Sequence, residues 1–176
     1  MPELPEVETV RKTLEPLLKG VTIEGVSVYH QNMIESKTFE TNIIGQRIHA
    51  IERKGKYLLF MLDDYVMISH LRMEGKYFLT EPRKKYPHEH VVFHLNNNQT
   101  LIYHDVRKFG RFQLRTKTTY LLEKPLSNLG PEPKDADDKR IYKQLKNRHI
   151  TVKQALLDQQ VMAGLGNIYV DETLFR

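Results

Sequence analysis

The chain is 176 residues long, 40% hydrophobic and 28% charged, the profile of an ordinary globular protein with length for one domain or one and a half. No stretch approaches the roughly 20 apolar residues of a membrane-crossing helix, the acidic, proline-bearing N-terminus lacks a secretory layout, and the absence of cysteine excludes disulfides and thiolate metal sites. A formal charge of +5 and a pI near 9.3 favour a polyanionic partner, and a cytoplasmic setting is expected.

The first helix is expected from Pro5 to about Leu18, with Val7, Val10, Leu14 and Leu17 on one face and Gly20 as its stop. Strand patterns follow at Val21-Thr22-Ile23 and Val26-Ser27-Val28, and Gly45 to Ala50 leads into another alternating run. Tyr57 to Leu62 and Tyr65 to Leu71 flank an Asp63-Asp64 turn. Further strands are expected at Tyr77 to Thr80, His90 to Leu95, Thr100 to His104 and Phe112 to Arg115, with Asn96-Asn97-Asn98 as a hairpin turn.

Strand signals stop near Tyr120. Prolines at 125, 131 and 133 mark residues 123–136 as an extended linker, because each keeps its predecessor out of the helical region. Helical patterns resume at Asp137 to Lys146 and Thr151 to Met162, with Thr151 as a cap, and Asn167 is expected to cap a last helix running to Arg176. The expected class is α+β. A helix and a two-sheet antiparallel β-sandwich fill residues 1–122, the linker covers 123–136, and a helical unit occupies 137–176.

Chemistry concentrates in a few strings. Met1-Pro2-Glu3-Leu4-Pro5-Glu6 places a proline where initiator-methionine removal would free a secondary amine beside carboxylates. Such an amine has a pKa of roughly 7.7–8.0, so a nucleophilic fraction exists at neutral pH. The same string also suits a helix start, with Pro5 in the first turn and acids complementing the dipole. Arg53-Lys54-Gly55-Lys56-Tyr57 offers a loop lysine for proton transfer or phosphate binding, or simply a soluble hairpin tip. His70-Leu71-Arg72-Met73-Glu74-Gly75 and Asp105-Val106-Arg107-Lys108-Phe109-Gly110-Arg111 each put bulky side chains on loops. Such side chains fill the hole left by an extruded base, or pack a loop. His88-Glu89-His90 lacks a third histidine or cysteine ligand, and a metal site is not expected there. Lys153 and Val161-Met162-Ala163-Gly164-Leu165-Gly166-Asn167-Ile168-Tyr169 combine cations, glycines and a helix start, a phosphate-binding pattern or an interhelical turn.

Taken in order along the chain, these strings resemble the bacterial formamidopyrimidine-DNA glycosylases. The resemblance implies a base-excision repair enzyme acting on damaged double-stranded DNA as both glycosylase and abasic-site lyase, releasing 8-oxoguanine and formamidopyrimidines. It implies Pro2 as nucleophile, Glu3 as general acid, Glu6 in support and Lys56 assisting. Met73, Arg107 and Phe109 would fill the void, and His88, Lys153 and Asn167 would hold phosphates. His149 stands where many relatives carry lysine, and its role is open. No organic cofactor is implied. The related endonuclease VIII branch, acting on oxidised pyrimidines, typically reads Pro-Glu-Gly-Pro-Glu, whereas Leu4 stands here. Other readings are a catalytically silent DNA-binding fragment or a protein-binding β-domain. The family continues through a helix–two-turns–helix domain into a four-cysteine zinc finger, so this cysteine-free chain is expected to be C-terminally truncated and weakly active or inactive. The full-length protein would be monomeric. Ile168, Val170, Leu174 and Phe175, whose partners would lie in the missing part, are expected to fray, to pack back on the β-domain or to bury themselves against another copy of the chain.

Overall fold

The computed structural model describes residues 1–176. Helix α1 (Leu4–Leu18) opens with Glu6 accepting the Glu3 backbone N–H at 2.9 Å. Val7, Leu14 and Leu18 are buried, each contributing roughly 1.5–3 kcal/mol of apolar burial. Leu17, expected on that face, is exposed, and Leu18 takes its place, since a step from 14 to 18 keeps the stripe on one face. The helix ends at Lys19, and Gly20 adopts a positive φ of 86°.

Eight strands then form two antiparallel four-stranded sheets. The first sheet has the order β1 (Ile23–Val28), β6 (Glu89–Leu95), β7 (Thr100–His104), β5 (Lys76–Thr80). The second has the order β2 (Ala50–Lys54), β3 (Tyr57–Met61), β4 (Tyr65–His70), β8 (Arg111–Thr116). Leu58 and Phe60 of β3 join Phe93, Leu101 and Tyr103 of the other sheet in a common core with α1. Leu59, Val66 and Ile68 point away from that core and pack on Leu126 from the segment after β8. Both faces of the β3–β4 hairpin are therefore covered, which explains its unbroken apolar runs. A short helix α2 (Thr38–Ile43), absent from the sequence reading, lies between β1 and β2 and buries Phe39 and Ile43.

The C-terminal part holds α3 (Asp138–Lys146), α4 (Val152–Leu157) and α5 (Asn167–Phe175). Asp137 caps α3 through the Lys139 N–H at 3.1 Å, and Thr151 with Gln154 forms a reciprocal box at α4. The helix expected to reach Met162 stops at Leu157 instead. Asp158 takes the Gln160 N–H at 2.9 Å, and the Gln159 amide bonds Leu157 O, Leu165 O and the Gly164 N–H, so side chains close a turn where the helix would have continued. Along α5, Val170 is fully buried within the chain, while Ile168, Leu174 and Phe175 remain exposed.

Candidate active site and nucleic-acid interface

The N-terminus lies where α1, the β-sandwich and the helical segment meet. Leu4 N–H donates to Gly164 O at 3.0 Å. Glu3, only 2% exposed, receives three backbone N–H groups: Gly166 at 2.6 Å, Ile168 at 2.9 Å and Tyr169 at 3.3 Å. These are the orphan donors at the start of α5, and a carboxylate against them also complements the helix dipole. Asn167, expected to cap this helix, is instead its first residue. Gly166 occupies the cap position and supplies no side chain, so Glu3 acts as the cap from the far end of the chain. Gly166 is required for this approach, since a Cβ there would lie 2.6 Å from the Glu3 carboxyl group.

Glu6 extends the junction. Its one oxygen accepts the Glu3 N–H and the other accepts the Tyr169 hydroxyl at 3.1 Å, so α1 and α5 are tied by side chains from both.

Two cavities open on either side of Met1 and share Met1 and Arg72 as wall residues. The first, about 270 Å³, is lined by Lys56, Tyr57, His70, Gly166 and Asn167 among others. The second, about 380 Å³, is lined by Arg72, Met73, Arg107, Phe109 and Arg111. Pro2 follows directly on Met1, one of the two residues that both cavities share. The amine-bearing end, the buried lysine and the bulky loop residues, far apart in sequence, thus converge on one place.

Lys56 is nearly buried, 5% exposed, at the start of the β2–β3 hairpin's second strand. Burial pushes its ammonium below the ordinary lysine range, and the nearby Glu3 carboxylate partly opposes that. The turn carrying it is clamped at both backbone groups of Gly55: the carbonyl accepts Arg53 Nη1 at 2.9 Å, and the N–H donates to Glu132 at 2.8 Å. Arg53 also pairs with Glu132 and Glu8, linking linker, hairpin and α1.

His70 and Arg72 were not singled out individually in the sequence. His70 is buried, and desolvation first, then Arg72 and Lys56, hold its imidazole down to about 3, so it is neutral at physiological pH. Its Nδ1 accepts the Arg72 N–H at 2.9 Å, and its ring meets Tyr57 edge-on at 4.6 Å. Arg72 carries a positive φ of 57°, an uncommon backbone state that aims this loop into the shared wall.

Met73 and Phe109 are 40% and 44% exposed, more than packing residues of their size usually are. The Arg107 guanidinium lies 4.9 Å from the Phe109 ring centre. Of the remaining expected residues, His88 and Lys153 stand apart from the two cavities. His88 is exposed at a φ of 67°, with its ring against that of His104 at 5.8 Å. Glu89 beside it is committed to Arg83 and the Tyr86 N–H, and His90 Nε2 to Asp105 O. Lys153 pairs with Asp171 of α5 at 2.6 Å, so a phosphate must compete with that carboxylate. Asn167 lines the Lys56 cavity. His149 is exposed. A four-cysteine zinc site has no possible ligands in this chain, which contains no cysteine.

The formamidopyrimidine-DNA glycosylase N-terminal domain model matches residues 1–112, and the formamidopyrimidine-DNA glycosylase H2TH domain model matches residues 129–176. The chain therefore belongs to the formamidopyrimidine-DNA glycosylase family. The formamidopyrimidine-DNA glycosylase of Bacillus subtilis is 51% identical, aligned over 100% of this chain and 66% of its own length. The structure is similar to that of Lactococcus lactis Fpg in complex with DNA containing an abasic site, with a TM-score of 0.91 and 40% identity, covering 98% of this chain and 66% of that one. It is likewise similar to MutM in complex with DNA containing carbocyclic 8-oxo-G, with a TM-score of 0.90 and 42% identity, covering 98% of this chain and 68% of that one. The chain spans about two thirds of these relatives.

Proposed function

We propose that this chain carries the catalytic centre of a base-excision repair DNA glycosylase with abasic-site lyase activity, acting in the bacterial cytoplasm on oxidised purines in duplex DNA. The observation that supports it best is the convergence at Met1 of a cavity holding Lys56 and Asn167 with a cavity holding Met73, Arg107 and Phe109. Once Met1 is removed, the Pro2 nitrogen opens at that junction.

The Pro2 lone pair attacks the sugar C1′, and the N-glycosidic bond breaks as 8-oxoguanine or a formamidopyrimidine leaves with a proton. Opening of the sugar ring at the C1′–O4′ bond gives an iminium, with O4′ taking a proton. The Pro2 N–H proton leaves with the base. The O4′ proton comes from water through Glu3, which can take it up and pass it on only by releasing an oxygen from the α5 amides, and Glu6 holds the Glu3 N–H in place. Loss of a C2′ proton then expels the 3′ phosphate, and a second elimination expels the 5′ phosphate. Lys56, its ammonium held below the ordinary lysine range by burial and so easier to deprotonate, would accept and return these protons. Met73 and Phe109 occupy the gap left by the extruded base, and Arg107 hydrogen-bonds the orphaned partner base. His88, Lys153 and Asn167 hold phosphates. The amine itself supplies the electron sink, so the scheme calls for no organic cofactor.

Incubation with a duplex carrying a formamidopyrimidine or 8-oxoguanine opposite cytosine tests this reading. Free modified base and a strand cut on both sides of the lesion are expected, slowly in this chain and faster from a preformed abasic site. Retained binding with an unreacting preformed abasic site would support the silent DNA-binding alternative instead.

A further inference from the structure

We propose that Asp105 is a positioning residue that fixes the Arg107–Phe109 loop in its projecting form before DNA arrives. This rests on the DNA reading above, since the loop's use is insertion beside an extruded base. Asp105 is fully buried at the exit of β7. Its Oδ1 accepts the Arg107 N–H at 3.0 Å, and its Oδ2 accepts the Gly110 N–H at 2.8 Å. Its backbone is equally committed. The N–H donates to His88 O at 2.9 Å, and the carbonyl accepts His90 Nε2 at 2.9 Å and the Lys108 N–H at 3.3 Å.

One carboxylate thus closes the loop at two points three residues apart. Between them the chain must bulge, which Lys108 accommodates with a φ of 59°. Gly110 is held under Tyr103, where a Cβ would fall 2.0 Å from the hydroxyl oxygen, so the far end of the bulge cannot shift inward. The bulge leaves Arg107 and Phe109 outside the clamp, stacked on each other and lining the cavity next to Met1. A buried carboxylate is costly unless its oxygens are satisfied, and here the partners at both oxygens are loop N–H groups. The groups it fixes are the ones proposed to enter DNA. A loop ordered in the free protein loses less freedom on binding, and that gain applies only where a base is missing and the loop can enter.

The chain has no tryptophan, so Val106→Trp, at an exposed loop position that lines neither cavity, places a single indole reporter on the loop. Its emission and anisotropy are read free, with undamaged duplex, and with duplex carrying a tetrahydrofuran abasic analogue opposite cytosine. The measurement is repeated with Asp105→Asn added, which keeps shape but offers an N–H donor to one of the loop amides. The added substitution is expected to lower the free-state anisotropy and cut the preference for abasic over undamaged duplex roughly tenfold, with undamaged affinity retained. Unchanged anisotropy and preference would overturn the assignment. Amide exchange in the unsubstituted chain covers the case in which Asp105→Asn fails to fold: the Arg107 and Gly110 N–H groups should exchange far more slowly than those of Val106 and Phe109. Equal rates would also overturn it. If the reporter ignores abasic DNA while the clamp is confirmed by exchange, the DNA reading fails and the loop geometry stands.

Discussion

Replacing Glu3 by Gln separates a structural from a chemical role at the N-terminus. The two side chains have nearly the same shape, but Gln exchanges one acceptor oxygen for an NH₂ group and removes the charge. The most favourable placement keeps oxygen at the Oε2 position, facing the Gly166 and Tyr169 N–H groups, and turns NH₂ toward the Ile168 N–H. One buried hydrogen bond to a charged acceptor is then lost, worth about 1.5–3 kcal/mol, together with a dipole interaction of up to about 2 kcal/mol. The two overlap, so a net loss of about 2–4 kcal/mol in the docking of α5 is expected, or roughly 30- to 1000-fold in its opening equilibrium. Native-state hydrogen exchange reads this directly. The Ile168, Tyr169 and Val170 amides should lose protection by that factor, while Phe93 in the β6–β7 ladder serves as an internal reference. Duplex affinity should fall as well, because α5 carries Asn167. Unchanged protection at Ile168 would refute the cap. With protection lost, reduced base excision by this variant is not by itself evidence that Glu3 donates a proton.

A second expectation concerns pH. His70 has a folded pKa of about 3 against an ordinary value near 6.5, so the unfolded chain binds its proton first as pH falls. Its contribution to stability is present above pH 6.5 and is lost progressively toward pH 3, about 2 kcal/mol by pH 5. Urea unfolding at pH 7.5 and 5 should show this extra loss in the natural chain and not in His70→Gln, and parallel losses in both would contradict the burial argument. Phe109→Ala and Met73→Ala should slow release of a modified base from duplex DNA while sparing reaction at a preformed abasic site; equal effects on both substrates would make them ordinary packing residues. Lys56→Met should slow strand cleavage at an abasic site more than it weakens binding, and losses confined to affinity would reduce Lys56 to a phosphate contact.

The sheets were legible because apolar alternation and turn residues coincide along 57–104, and because a hairpin covered on both faces needs continuous apolar residues. Short α2 was not, since Phe39 and Ile43 alone give too little periodicity. The overlong reading of α4 followed the apolar spacing from Leu157 to Val161, which the side chains of Asp158 and Gln159 override by bonding the local backbone. Asn167 has the right residue type for a cap, but the acceptor that serves α5 comes from Glu3, and no local pattern reveals so distant a partner. The residues Met73, Lys56, Arg107 and Phe109 could be named from their strings. Their meeting at Met1 could not, and neither could the neutral His70 or the positive φ of Arg72, which arise only from the packing of β3, β4 and the following loop.

The most direct test of Pro2 as nucleophile is borohydride trapping on a duplex with a preformed abasic site, followed by peptide mass analysis. Chain lacking Met1 should give a covalent DNA adduct mapped to the peptide beginning at Pro2, and chain retaining Met1 or an N-terminal extension should give none. Efficient trapping by the blocked chain, or an adduct mapped to Lys56 in the processed one, would contradict a nucleophile at the junction of the two cavities.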